Sequence, residues 1–260
     1  DGKPVAGTGL KNKDVMDMLR GAKGTRVQLK VKRQKNRELV DFTIVRDKIP
    51  IHSLDASYML NGQTGYIKLN RFSATTTDEF SRAIRNLKKD PKFRNLVLDL
   101  RGNGGGYLKA AIDMADQFLG PQHLVVYTKG IHEPRKDYRS SAAGEFETGR
   151  LVILIDEGSA SASEIVAGAV QDWDRGIIIG RRSFGKGLVQ QPFPLTDGSV
   201  IRLTTAHYYT PGGRDIQKPY DGGAEEYRND YLNRFVKGEL FTRDSVHLDP
   251  SQAFKTLKNK

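Results

Sequence analysis

An α/β fold with a largely parallel sheet flanked by helices is what the sequence predicts for most of this chain. Three observations predict it. Strand-like runs alternate with helical patterns, the runs are near-continuously apolar, and glycine clusters stand where strand gives way to helix. Unbroken apolar runs are the mark of strands buried on both faces, and parallel neighbours need a crossover, usually a helix, between them.

The first 47 residues are organised differently. Val15, Met18 and Leu19 sit at i, i+3 and i+4 on one face of a short helix closed by Gly21. Val27–Arg33 and Leu39–Val45 then have the apolar content and alternation of two strands. One helix and two strands are too little to close a core alone. From Ile49 the texture changes. Tyr66–Asn70 reads as a strand, and Thr77–Lys89 as a helix with Phe80, Ile84 and Leu87 on one face, stopped by Asp90-Pro91. Leu96–Leu100 is a near-continuous apolar strand. Gly102-Asn-Gly-Gly-Gly106 follows, then a helix with Leu108, Ala111, Ile112, Ala115 and Leu119 inward. The alternation recurs: strand His123–Tyr127, a polar excursion at 130–149, strand Leu151–Ile155, helix Ala162–Trp173, strand Ile177–Ile179. Together these strands predict a sheet covered on both faces. Val189–Leu195 and Val200–Thr204 are strand-like with no helix between them. Residues 221–260 form a charged tail with one helical stretch near Glu225–Phe235.

The 260 residues carry 42 Lys and Arg against 31 Asp and Glu, a formal charge of +11, and no cysteine. The missing cysteines exclude a disulfide scaffold, thiolate-ligated metal centres and a thiol nucleophile. Aliphatic runs reach about the length of Leu151–Ile155, far short of the ~18 residues of a membrane span. A strongly basic chain invites a nucleic-acid reading until the charge is located. Residues 1–48 hold 13 basic and 6 acidic residues, so +7 of the +11 lies there, densest at Lys30–Arg37 between two strands. No aromatic residues interleave with that cluster, as single-strand binding would favour, and it reads as a solvated hairpin tip. Asp1-Gly-Lys-Pro reads as the interior of a longer gene product, without a signal-like apolar segment.

Three segments concentrate glycine, serine and lysine. Asp99-Leu-Arg-Gly-Asn-Gly-Gly-Gly106 joins a strand to a helix, and its glycines free backbone N–H groups to face an anion or oxyanion. Tyr107 stands where a dinucleotide fingerprint needs its third glycine. Glu157-Gly-Ser-Ala-Ser-Ala-Ser-Glu164 also joins a strand to a helix, where a serine is either an N-cap or an exposed nucleophile. Residue types alone do not choose among Ser159, Ser161 and Ser163. Gly180–Lys186 has P-loop spacing, but Gly187 replaces the Mg²⁺-binding hydroxyl and a strand-like run follows where a P-loop needs a helix. Ser183-Phe-Gly-Lys186 likewise lacks the helix that S-x-x-K chemistry requires. The five histidines (52, 123, 132, 207, 247) form no zinc-ligand spacing. Lys186, between Gly185 and Gly187 and beside Phe184, suits a general base: a partly apolar pocket there favours the neutral amine. On an extended strand Gln190 would share its face and orient it.

In order and spacing these segments resemble the carboxy-terminal processing, or tail-specific, proteases. Ser183-Phe-Gly-Lys-Gly-Leu-Val-Gln-Gln191, Tyr208-Tyr-Thr-Pro-Gly-Gly-Arg214 and Asp215-Ile-Gln217 carry the likeness on to about residue 220. The resemblance implies a serine–lysine dyad, with Ser161 as nucleophile, Lys186 as general base, Gln190 assisting, and the Gly106 and Ala162 amides as oxyanion hole. Asp1–Arg33 is similar to the latter half of the family's PDZ domain, which captures substrate C-termini by strand addition. His207 stands where relatives usually have Lys or Arg. The expected layout is therefore a partial PDZ domain at 1–47, a peptidase core at 48–220 and a tail of unassigned role at 221–260. The expected function is a serine endopeptidase acting near protein C-termini. Its partners are protein or peptide substrates with accessible tails, with no cofactor, metal or nucleic acid and no integral membrane segment. The family places it in the cell envelope, the bacterial periplasm. An inactive peptide-binding protein of the same fold and a P-loop-like nucleotide binder are the alternatives.

Overall fold

The computed structural model describes residues 4–33, 38–47, 52–141, 144–241 and 256–257. The chain divides into two units, Asp1–Ile51 and His52–Lys260. In the first, helix α1 (Asn12–Leu19) precedes an antiparallel hairpin of β1 (Arg26–Lys32) and β2 (Leu39–Val45), registered Arg26 to Val45 and Lys32 to Leu39. The Arg46 guanidinium closes α1, donating to the carbonyls of Leu19 (2.7 Å) and Met18 (3.3 Å), a cation at the negative end of the helix. α1 buries none of its residues, and Met16, Met18, Ile44 and Val45 are exposed. A helix and a hairpin are by themselves too little to enclose a core. Residues 34–37 of the basic tip lie outside the described residues.

The second unit runs β3 (Leu54–Met59), β4 (Thr64–Leu69), α2 (Thr76–Leu87), β5 (Asn95–Asp99), α3 (Leu108–Asp116), β6 (Leu124–Lys129), β7 (Lys136–Arg139) and β8 (Arg150–Ile155). It continues with α4 (Ala162–Asp172), β9 (Ile177–Gly180), β10 (Leu188–Pro194), β11 (Val200–Tyr209) and α5 (Gly223–Val236). One sheet has the order β3-β4-β5-β8-β9, parallel from β4 to β9 with β3 antiparallel at the edge. Because strand order along the sheet follows chain order, right-handed crossovers bring α2, α3 and α4 to the same face. Ile67, Leu69, Leu96, Leu98, Leu151 and Ile153 are buried beneath them, while the alternate residues Tyr66, Lys68, Val97 and Val152 are only half-buried. The expectation of a sheet covered on both faces is corrected accordingly. The apolar runs arise partly because residues such as Val97 and Val152 stand opposite one another across β5 and β8 and shield each other laterally.

β6 lies outside this sheet. It joins an antiparallel second sheet of order β10-β11-β6-β7, and β7 occupies the segment read as a polar excursion. β3 went unread because Leu-Asp-Ala-Ser-Tyr-Met lacks β-branched residues. α4 is buried all along Ala162–Val170 and packs against α3, β6 and β9, the position of a helix enclosed on several sides. The loops leaving the C-terminal ends of β5 and β8 lie against each other, at the edge where open α/β sheets bind ligands.

Candidate active site

Packing tells the three serines of the β8–α4 turn apart. Ser159 is fully buried and its Oγ donates to the Leu100 carbonyl at 2.8 Å. Ser163, also fully buried, donates to the Asn103 carbonyl at 2.8 Å. Ser161 is half-buried at the N-cap of α4, with φ 56 and ψ −110. A non-glycine residue held there costs about 1–3 kcal/mol and persists only where its surroundings over-determine it. Here the Ser161 N–H donates to Glu164 Oε2 (2.8 Å) and the Ala160 N–H to the Asn103 carbonyl (3.0 Å). A serine on a strained strand-to-helix turn is the geometry of a nucleophile elbow.

The glycine-rich loop is tied to that turn. Buried Asn103 donates to the Leu69 carbonyl (2.9 Å) and accepts the Gly105 N–H (2.9 Å). Asp156 Oδ1 accepts the N–H groups of Gly102 (2.8 Å) and Gly158 (2.9 Å). Gly105, at φ 94, approaches so closely that a Cβ would lie 2.6 Å from the Ala160 carbonyl oxygen, 2.8 Å from Ser161 Cβ and 2.9 Å from the Ala162 nitrogen. Gly106 forms a parallel bridge with Phe72, made by the Gly105 carbonyl (3.0 Å) and the Tyr107 N–H (3.0 Å). That bridge does not use the Gly106 N–H. Ala162 begins α4, so its N–H has no intrahelical acceptor. The two amides of the expected oxyanion hole therefore sit on adjoining segments.

Asp99 anchors the base of the loop. It is fully buried at the end of β5 and accepts Tyr66 OH (2.6 Å), the Arg101 N–H (2.9 Å) and the Arg101 guanidinium (2.7–3.1 Å), with Lys68 Nζ at 3.6 Å. Burial alone would raise its carboxyl, but the Arg101 and Tyr66 hydrogen bonds and the Lys68 charge outweigh it and hold it at about 2. Burial, then the Asp99 hydrogen bond and charge, push the Tyr66 hydroxyl up to about 12.

Glu164 connects the lysine loop to the serine turn. Buried on the first turn of α4, it accepts Ser183 Oγ (2.7 Å) and the Gly185 N–H (2.6 Å) on Oε1, and the Ser161 and Lys186 N–H groups (2.8 Å each) on Oε2. Lys186 is itself exposed. Phe184, expected to wall a pocket for it, instead faces Lys218, whose Nζ lies 5.0 Å from the ring. Gln190 is exposed on β10, and a register shift between Val189 and Gln190 interrupts the alternation that related it to Lys186. His207 Nδ1 lies 2.8 Å from Asp215 Oδ2. The residue after Gly187 begins β10 rather than a helix. Glu164, Asn103 and Asp156 were missed as site residues, though Ser161-x-x-Glu164 has capping-box spacing. Among the described residues no three His, Asp or Glu side chains are grouped to hold a metal ion, and no helix is long and apolar enough to cross a membrane.

The model of peptidase family S41 matches residues 63–225, which takes in both loops, Ser161 and Lys186. The chain belongs to peptidase family S41. This S41 chain is 40% identical over 221 residues to the carboxy-terminal-processing protease of Bartonella bacilliformis, covering 84% of the chain and 50% of that protein. It is 36% identical over 220 residues to the carboxy-terminal processing protease CtpB of Bacillus subtilis, covering 84% and 45%. The solved photosystem II D1 C-terminal processing protease matches with a TM-score of 0.59 at 31% identity, over 78% of this chain and 56% of that one. A putative S41 protease from Bacteroides fragilis, at 17% identity and TM-score 0.53 over 82% and 65%, shares the fold. The S41 chain spans about half the length of the curated relatives it matches.

Proposed function

We propose that the chain carries the core of a serine endopeptidase that cleaves other proteins near their C-termini. One observation carries this reading: a single carboxylate oxygen, Glu164 Oε2, receives the backbone N–H of both Ser161 and Lys186 at 2.8 Å. Their amide nitrogens are thus no more than twice that distance apart, although the residues come from different loops. Ser161 is the nucleophile and Lys186, as the neutral amine, takes its proton. Oγ bonds to the scissile carbonyl carbon, and the oxyanion is held between the Gly106 and Ala162 amides. Collapse expels the C-terminal fragment as an amine that regains the proton from Lys186. Water activated by Lys186 then hydrolyses the acyl-enzyme. Gln190 assists by orienting the lysine.

Residues 1–47 are read as the end of a PDZ domain, supported by the quoted resemblance and by the uncovered apolar residues of the first unit. The relatives' names support substrates bearing accessible C-terminal tails, and the bacterial cell envelope, the periplasm, is the proposed location. The test compares cleavage of an unstructured protein by the wild type, Ser161→Ala and Ser183→Ala, in a chain that includes a whole PDZ domain. Loss with Ser161→Ala and substantial activity with Ser183→Ala are expected. Full turnover by Ser161→Ala overturns the assignment. Peptide binding without any turnover by the wild type establishes the inactive binding protein instead.

A further inference from the structure

The loop that bears Lys186 is held from two sides, and only one of them is Glu164. On the other, residues 216–218 run against it. The Lys218 N–H donates to the Gly185 carbonyl (3.0 Å), and the Gly187 N–H donates to Gln217 Oε1 (3.0 Å). The approach is so close that a Cβ on Gly185 would lie 2.7 Å from Lys218 Cβ, and one on Gly187 2.3 Å from the Gln217 nitrogen. α5 holds that strap in turn: Lys218 Nζ donates to the Tyr227 carbonyl (3.1 Å) and Asp230 (3.3 Å), and Gln217 Nε2 to Tyr227 Oη (3.2 Å).

α5 also reaches the loop directly. Arg234 is 3% exposed; its guanidinium donates to the Arg182 carbonyl (2.7 Å) and to Glu239 (2.9 Å). Glu239 accepts the Arg182 guanidinium at 3.1 and 3.2 Å. A buried guanidinium is tolerated only when its charge is paired and its donors are used, and its planar fork serves a carboxylate and a carbonyl together. The family match ends at residue 225, near the start of α5, so Arg182 lies within it while Arg234 and Glu239 lie beyond it.

We propose that α5 is a clamp that sets the position of the Lys186 loop, with Arg234 as its positioning residue. The proposal rests on the reading of Lys186 as general base. Loosening the loop leaves the substrate-binding surface in place but lets Lys186 drift from Ser161, and small displacements of a catalytic group cost roughly tenfold or more in rate.

The experiment uses the full chain and a fluorophosphonate probe, which phosphonylates the serine hydroxyl with loss of fluoride and does not need tail capture. Peptide kcat and KM and the melting temperature are measured alongside, all assays being run well below each variant's melting point. Arg234→Leu and Glu239→Gln are expected to slow labelling and lower kcat by roughly tenfold or more, with KM within about twofold of wild type. Arg234→Lys, which keeps a donor for the Arg182 carbonyl, is expected to recover part of the rate. If Arg234→Leu does not fold, Glu239→Gln decides. Wild-type labelling by the folded variants, or a loss confined to KM, overturns the clamp. Lys186→Ala separates the two ideas. If it labels at the wild-type rate, the lysine reading fails. If it is silent while the Arg234 and Glu239 variants label normally, Lys186 stands and the clamp falls.

Discussion

Replacing Glu164 by Gln changes one atom's chemistry and leaves shape untouched, which makes it a sharp probe of how the two loops are joined. The wild-type carboxylate accepts four donors, two on each oxygen. A glutamine keeps only one acceptor oxygen. Turned toward Ser161 and Lys186, that oxygen preserves both N–H bonds, while the new NH₂ faces the Ser183 hydroxyl, which can rotate to accept, and the Gly185 N–H, which cannot. The variant therefore loses one charge-assisted hydrogen bond, worth about 1.5–3 kcal/mol, and leaves a buried donor opposed by another, costing about 1–3 kcal/mol. The surviving bonds weaken as the acceptor becomes neutral. The sum is roughly 2.5–6 kcal/mol. For a unit of this size each kcal/mol lowers the melting temperature by about 2–4 °C, so a fall of about 10 °C is expected. With the lysine loop less firmly held, kcat is expected to drop by about 10²-fold or more, beyond what stability alone explains at assay temperature. Differential scanning calorimetry and peptide-cleavage kinetics on the same preparation measure both. A Glu164→Gln variant that melts within about 1 °C of wild type and turns over normally would refute the idea that this carboxylate joins the loops.

Gly105→Ala places a Cβ against the Ala160 carbonyl, Ser161 and the Ala162 amide at a positive φ; cleavage and probe labelling should both fall by about 10²-fold, and near-normal labelling would contradict the close packing. A lysine base needs its amine, so Lys186→Ala should lower peptide cleavage by about 10²-fold or more while the fold is kept, and near-normal turnover by that variant counts strongly against Lys186. Asp99 at about 2, against an ordinary 3.8, is worth roughly 2 kcal/mol. A depressed carboxyl contributes this stability above about pH 4 and loses it as the pH falls toward 2. Urea unfolding of wild type and Asp99→Asn should therefore differ most at pH 6 and draw together as the pH falls to about 2; an undiminished gap there would show that the bonds around Asp99 are not charge-dependent.

Much of the fold was legible because the signals were local. β4, β5, β8 and α4 follow from apolar runs and helical periodicity, and the glycine and serine clusters at strand-to-helix turns marked the site without a tertiary contact. β3 and β7 escaped because their composition does not favour strands. Sheet membership escaped for another reason: a run such as Leu124–Tyr127 looks alike whether it pairs with β5 or with β11. Periodicity records how much of a side chain is covered, not by which partner.

The sequence by itself determined which residue types are available for the proposed chemistry. Without cysteine or a histidine cluster, serine and lysine in glycine-rich turns were what remained, and the resemblance singled out Ser161 and Lys186. Packing separated Ser161 from its neighbours, by giving the hydroxyls of Ser159 and Ser163 to buried carbonyls. It also revealed Glu164, whose four donors come from positions 161, 183, 185 and 186. A capping box predicts the first of these, since it lies within one helical turn. The other three arrive from about twenty residues away, and contacts set by chain folding leave no periodic trace in the chain that makes them.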